Sequence, residues 1–373
     1  MADCPIIDIY ILSPASLDFP KQPSEYAAHA IPSLNDFQAL WNAWDIVSKA
    51  MVPRQELLSK PINLRNALVF YLGHIPTFLD IHLTRALRGK PTEPEAYQQV
   101  FERGIDPDVE DPEKCHSHSE IPDEWPPLAE ILDYQQRVRD RVRAICQSEK
   151  LSRRLGKALF IGFEHEAMHL ETFLYMLLQS EKTLPPPGVG RPDFAGIFHN
   201  ARRIEKANQW FIIPEQTVTI GLDDPGDKIP DVSFGWDNEK PRRTTGVHSF
   251  VAKARPVTNG EYAQYMKVNP RKNNPASWVS LHPDGELDEN ASRLSSRSFL
   301  SRFAVRTMFG PVPLELAQDW PVIASYDELA AYAEWNECRL PTFEEARSIY
   351  QYVEGLKRKE SQSALNGHGH GLV

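Results

Sequence analysis

Apolar positions recur every three to four residues in four stretches between residues 33 and 180, a spacing that predicts amphipathic helices. The first follows Ser33, a candidate N-cap, and puts Phe37, Leu40, Trp41, Trp44 and Val47 on one face. The second runs from about Asn63 to Arg88 and carries Leu64, Leu68, Tyr71, Leu72, Ile75, Leu79 and Leu83. Pro76 lies inside it, which predicts a kink or a helix start nearby. The third begins after Pro127, with Leu128, Ile131, Leu132, Val138, Val142 and Ile145 inward. The fourth covers about 151–180. Four such helices joined by long connections predict an up-and-down bundle.

The stretches between and after the helices have a different texture. Residues 103–127, RGIDPDVEDPEKCHSHSEIPDEWPP, are polar and proline-rich and predict a long loop of the kind that often carries function. TLPPPGVGRPDF (183–194) is a cluster of helix breakers and marks the domain boundary. Beyond it, Trp210–Pro214 and Thr217–Gly221 predict short strands, and helical period returns only around 325–336 and 342–357. The fold class expected is therefore α+β and multidomain. It divides into an arm or linker at 1–32, a helical domain at 33–182, a linker at 183–196, an irregular α+β domain at 197–357 and a disordered tail at 358–373. No internal repeat stands out.

Composition narrows the function classes. Of 373 residues, 41% are hydrophobic and 25% charged, and the formal charge is −10. Nucleic-acid binding is not expected, because it needs phosphate-neutralising Lys and Arg. No apolar run approaches the roughly 18 residues of a membrane span. The first residues, MADCPIIDIYILSPAS, lack the basic segment of a secretory signal, and the four cysteines show no regular spacing. A reducing, cytoplasmic location is the expectation.

The sharpest chemical signal is Phe163-Glu164-His165-Glu166-Ala167-Met168-His169-Leu170-Glu171. His165 and His169 are one helical turn apart, so both imidazoles project from one face and can reach one metal ion. The same letters read H-E-x-x-H, in which Glu166 would be the general base of a zinc hydrolase. The extension that continues such sites in one large protease group is absent, because LETFLYML follows His169. A second signal is His74, in Tyr71-Leu72-Gly73-His74-Ile75-Pro76-Thr77-Phe78, within the apolar stripe of the second helix. Alone it reads equally as a buried neutral histidine bonded to a neighbour. Together, one histidine from the second helix and two from the fourth make a three-histidine facial site in a bundle core, with open positions for substrate and dioxygen. His82 reads as a supporting residue of the same face. Cys115-His116-Ser117-His118 has ligand-type residues but no second pair at finger spacing. His368 and His370 lie in the tail. Arg137, Arg139, Arg141 and Arg143 read as a solvated helix face, and Trp236 and Asn238 as structural.

GHIPTF and EHEAMHLET resemble the DinB-like helical domain of ergothioneine-biosynthesis sulfoxide synthases. Downstream, Phe234–Glu239 (FGWDNE), Arg255–Tyr262 (RPVTNGEY) and Arg339–Thr342 (RLPT) are similar to the formylglycine-generating-enzyme-like, or sulfatase-modifying-factor, fold. The order of the two modules is that of the synthases, and FERGIDPDVEDPEKCHSHSEIPDEWP (101–126) is similar to the fungal branch. The resemblance covers about 31–357. It implies an Fe(II)- and O2-dependent enzyme that joins a thiol, cysteine in the fungal branch, to hercynine (trimethylated histidine) as a sulfoxide. It also implies that His74, His165 and His169 are the iron ligands. Met168 stands where bacterial members carry a glutamine close to the iron.

Two departures from the family pattern follow. A histidine methyltransferase domain normally precedes the helical domain in fungal members, and the arm at 1–32 has no room for one. The family's catalytic tyrosine and Trp/Asn substrate segment belong to the second half of the second domain, beyond the RLPT motif. The expectation is a chain whose helical domain binds iron by itself but whose second domain is truncated, so that synthesis needs the missing half, in cis or as a separate chain. A non-catalytic metal- or partner-binding paralogue is the alternative function.

Overall fold

The computed structural model describes residues 31–63, 65–102, 105–107, 115–117, 122, 124–147, 151–203, 208–223, 234–270, 273–281 and 294–367, with backbone only at 105–107, 115–117 and 357–367. The chain is mixed α+β and divides into two units. One holds residues up to Arg191 with Asp224–Trp236 and Thr307–Gly310; the other holds Pro192–Asp223, Asp237–Arg306 and the chain from Pro311.

The first unit is built from helices α1 (Leu34–Asp45), α2 (Leu68–Leu87), α4 (Leu128–Cys146) and α5 (Arg153–Leu177), with a short α3 (Tyr97–Val100). Ser33 starts α1 with a capping box: its hydroxyl accepts from the Asp36 N–H, and the Asp36 carboxylate accepts from the Ser33 N–H. One π-helical turn, Ile46–Ala50, follows α1 directly. Helix α2 starts later than its apolar stripe, at Leu68, and runs unbroken through Pro76. Nearly every residue of α2 from Leu68 to Ile81 is buried, so it is the central helix, with α4 and α5 packed against it. Phe37, Trp44, Leu72, Leu83, Phe101, Ile131, Tyr134, Leu159 and Phe173 fill the core between the helices. In the connection between α3 and α4, β1 (Ile105–Pro107) pairs antiparallel with β2 (Cys115–Ser117), where the sequence predicts only a loop.

Two of the arginines expected on a solvated face lie inside. Arg139 is 7% exposed and holds the Asp45 carboxylate with two bonds of 2.8 and 2.9 Å, its guanidinium over the Trp41 ring. Arg141 bonds the fully buried Asp80 at 2.6 Å, and that carboxylate also accepts from the Thr92 N–H and from Gln98. The four-residue spacing of helical neighbours cannot reveal these pairs, because each joins helices far apart in sequence.

In the second unit, α6 (Phe194–Arg203) precedes short strands. β3 (Trp210–Ile213) pairs with β6 (Phe250–Lys253), and β4 (Gln216–Ile220) with β5 (Arg243–Val247), all antiparallel. β7 (Trp278–Ser280), β8 (Phe303–Val305) and β9 (Val312–Pro313) form a third sheet. Helices α7 (Asn259–Val268), α8 (Ser296–Leu300), α9 (Leu314–Ala317), α10 (Tyr326–Trp335) and α11 (Phe343–Gly367) complete it. The RPVTNGEY and RLPT segments are helix starts. Thr258 caps α7 in a box with Glu261, which Arg255 clamps at 2.9 and 3.3 Å. Thr342 caps α11 in the same way with Glu345, clamped by Arg339 at 2.7 and 2.6 Å. The pattern R-x-x-T-x-x-E thus occurs twice with one physical role. Helix α11 reaches Gly367, so 358–367, expected without structure, continue it: Lys, Arg, Glu, Gln, Ala and Leu there are good helix formers.

Candidate metal centre

Helix α2 places His74 one turn after Phe70, and the two rings stack with centroids 4.9 Å apart. The His74 Nδ1–H donates to the Phe101 carbonyl at 2.7 Å. That bond sets the tautomer and leaves the Nε2 lone pair pointing the other way. Phe101 comes this close because residue 73 is glycine: a Cβ there would sit 2.6 Å from three atoms of the Phe101 ring.

Helix α5, capped by Ser152, places His165 and His169 a turn apart, facing α2. His169 Nε2 lies 3.2 Å from His74 Nε2 and 3.1 Å from His165 Nε2. Phe78, one turn beyond His74, stacks on the His165 ring at 3.7 Å and 11° and holds its plane. The Tyr71 ring packs against His169 at 5.6 Å, and the Thr172 hydroxyl lies 3.4 Å from His169 Nδ1. His74 and His165 are buried; His169 is partly exposed, so the cluster opens on its side.

Burial keeps all three rings neutral. It pushes His74 down to about 4, against the bond to Phe101, which raises it. Burial, then the charges of His74 and Arg65, take His169 to about 3. His165 lies well below the usual histidine value, through burial first and then the neighbouring imidazoles. Neutral imidazole is the ligating form. Ring nitrogens 3.1 and 3.2 Å apart are separated as two ligands of one ion are, at bond lengths of about 2.0–2.2 Å. With their Nε2 atoms unprotonated, the three rings aim three lone pairs at one point, and one cation accepts all of them. The donor set therefore fits a divalent transition metal.

The other sequence candidates fall elsewhere. Glu166 is buried on another face of α5, in a pocket with Trp41, Pro76, Gln135 and Arg139. Burial raises its carboxyl to about 7. It is not part of the three-histidine cluster, so the zinc-hydrolase reading, which needs Glu166 against metal-bound water, is not favoured. Met168 is 44% exposed. His82 lies against Phe78 at 4.5 Å, and the Trp236 ring is 6.2 Å from Phe78 within the same unit. Asn238 is exposed in a 3-10 turn. The side chains of Cys115, His116, His118, His368 and His370 lie outside the described residues. Sequence reasoning missed the Phe101 carbonyl, Arg65, Tyr71 and Thr172. Only Tyr71 carried a signal, one turn before His74.

Comparison with known proteins agrees with this architecture. Residues 36–173 match the DinB superfamily, and residues 198–349 match the sulfatase-modifying factor enzyme 1-like domain. A DinB-type bundle carrying three convergent histidines, followed by a sulfatase-modifying-factor-type domain, defines the class. Over most of its length the chain is similar to fungal proteins named for ergothioneine biosynthesis. It is 50% identical over 368 residues to Ergothioneine biosynthesis protein 1 of Neurospora crassa, covering 94% of this chain and 42% of that protein. It is 32% identical over 373 residues to the protein of the same name from Schizosaccharomyces pombe, covering 91% of this chain and 43% of the other. The chain thus spans about two fifths of the length of these relatives. Among the described residues no helix is long and apolar enough to cross a membrane.

Proposed function

We propose that this chain carries the iron centre of a cytoplasmic sulfoxide synthase that joins cysteine to hercynine in ergothioneine biosynthesis. His74, His165 and His169 hold Fe(II), and O2 is the co-substrate. The observation that carries the reading is the convergence of three neutral imidazole nitrogens in a chain with both domains of the family. The overall reaction balances: the thiol hydrogen and one imidazole C–H hydrogen leave with one oxygen atom as water, a C–S bond forms, and the other oxygen atom ends on sulfur. When bound, the metal supplies the means of engaging dioxygen and thiolate together. The chain's own residues do the rest at this site. The Phe101 carbonyl holds the Nδ1 proton of His74, Phe70 and Phe78 fix two of the rings, and the apolar bundle keeps water away on the buried side.

The second unit leaves Trp210, Phe211 and Ile212 of β3, Val251 of β6, and Phe343 and Tyr350 of α11 exposed. Such apolar surface supports the reading that further polypeptide, in the same or a separate chain, completes the enzyme. The test is incubation of the Fe(II)-loaded protein with hercynine, cysteine and air, with the sulfoxide read by mass spectrometry. One arm uses the chain alone; the other adds the part of the Neurospora relative that this chain does not span. Product that disappears in His165→Ala supports the proposal. A metal-loaded protein that yields none in either arm refutes it.

A further inference from the structure

The three imidazoles of the centre are held in three different ways. His74 donates from Nδ1 to the Phe101 carbonyl at 2.7 Å. The His165 Nδ1 is buried with no hydrogen-bond partner among the described residues, and that ring is held by Phe78, stacked on it at 3.7 Å and 11°. His169 is the ring on the partly exposed side, so burial constrains it least. Its Nδ1 lies 3.4 Å from the hydroxyl of the half-buried Thr172, three residues further along α5.

A hydroxyl can donate one hydrogen and accept others, so the direction of this bond has a physical answer. In a helix, a threonine hydroxyl can bond the carbonyl three or four residues back. Thr172 does so: its Oγ1 donates to the His169 carbonyl at 3.2 Å. The single hydroxyl hydrogen is thereby committed, and only lone pairs remain to face the ring. The His169 Nδ1 is then the donor and carries the proton. Neutral imidazole has one N–H, so the lone pair is left on Nε2. Nε2 is the atom that lies 3.2 and 3.1 Å from the Nε2 atoms of His74 and His165. The relay runs from Nδ1–H to the hydroxyl and on to the carbonyl of His169 itself, so one turn of α5 supplies both the ligand and the group that orients it. A bond of 3.4 Å is longer and weaker than the one His74 makes. Its effect therefore belongs at the lower end of the range for outer partners of metal-bound histidines.

We propose that Thr172 is a positioning residue of the metal centre, whose hydroxyl fixes the Nδ1–H tautomer and the ring orientation of His169, the ligand on the open side. The inference rests on the ligand assignment in the functional reading above.

Two measurements on the full chain test it. Heteronuclear NMR of the metal-free protein with isotope-labelled histidines, at neutral pH, reports which nitrogen of His169 carries the proton; His169→Gln assigns the resonances. The wild type is expected to hold it on Nδ1. Thr172→Val removes the hydroxyl but keeps the branched shape, and is expected to populate the Nε2–H form. Anaerobic Fe(II) titration against a competing chelator should show binding weakened about 10-fold in Thr172→Val. Thr172→Ser keeps the hydroxyl and should restore both readouts, which a merely structural role for the side chain would not link. A wild-type His169 protonated on Nε2 overturns the inference, as does a Thr172→Val protein with unchanged tautomer and unchanged Fe(II) affinity. Equal weakening in the serine and valine variants also overturns it, because the methyl group rather than the hydroxyl would then hold the ring. In all three cases a wild type that binds Fe(II) leaves the ligand assignment standing. A wild type that binds no Fe(II) overturns both.

Discussion

Replacing Gly73 by alanine tests how the backbone tunes the candidate metal centre. Two effects oppose each other. Alanine is favoured over glycine in a helix interior by about 0.8–1.0 kcal/mol. The new methyl, however, would sit 2.6 Å from three atoms of the Phe101 ring, which is 0% exposed and packed against Phe70, Tyr97 and Trp125. Overpacking of that kind costs about 1–3 kcal/mol, and a ring with no free side places Gly73→Ala at the upper end. The net expectation is a loss of about 1–2 kcal/mol, an overpacking cost of about 2–3 kcal/mol less the propensity gain of about 1 kcal/mol. Phe101 also contributes the carbonyl that accepts from His74 Nδ1 at 2.7 Å. Moving it frees the His74 ring, and outer partners of metal-bound histidines are worth about 10- to 100-fold in metal affinity. Urea unfolding followed by the helical circular dichroism band measures the first effect, and anaerobic Fe(II) titration against a competing chelator the second. A variant with raised stability and unchanged Fe(II) affinity would mean that helix propensity dominates and that Phe101 does not position His74.

Three further outcomes are expected. His165→Ala removes one of three imidazoles and should abolish most of the bound metal, read as iron per chain by mass spectrometry; equal iron in the variant would show that the ligands are misassigned. Asp45 is pushed up by burial but held below its usual value, on balance, by the bonds and charge of Arg139. Its folded pKa is the lower one, so its contribution is fully present above about pH 4 and is lost as pH falls through the folded value. Asp45→Asn should remove this acid-side dependence and destabilise the helical unit by about 1–3 kcal/mol, a range discounted for the partial exposure of Asp45; acid titrations of both proteins that superimpose would contradict it. Thr342→Ala deletes the cap of α11 and should cost about 1 kcal/mol locally, seen as faster hydrogen exchange at the first amides of the helix; unchanged exchange there would show that the Arg339–Glu345 clamp suffices.

Much of the helical unit is written in local pattern. The apolar spacing of α1, α4 and α5, the caps at Ser33 and Ser152 and the one-turn separation of His165 and His169 all depend on residues within a few positions of one another. The strands Trp210–Ile213 and Gln216–Ile220 and helices α10 and α11 also carry their own signals; so does α7, in its Thr258–Glu261 capping box, although its apolar period is weak, whereas α8 has only five residues. What local pattern cannot carry is the pairing of distant segments. That His74 meets His169 across 95 residues follows from the packing of α2 on α5. That Arg139 is buried follows from Asp45 lying 94 residues away. That Glu166 faces Arg139 rather than the histidines follows from which stripe of α5 each neighbouring helix covers. A helical period specifies which side chains share a face; which face meets which is decided only when the whole core closes, because apolar burial is non-directional and each polar group must then find its partner wherever the packing has put it.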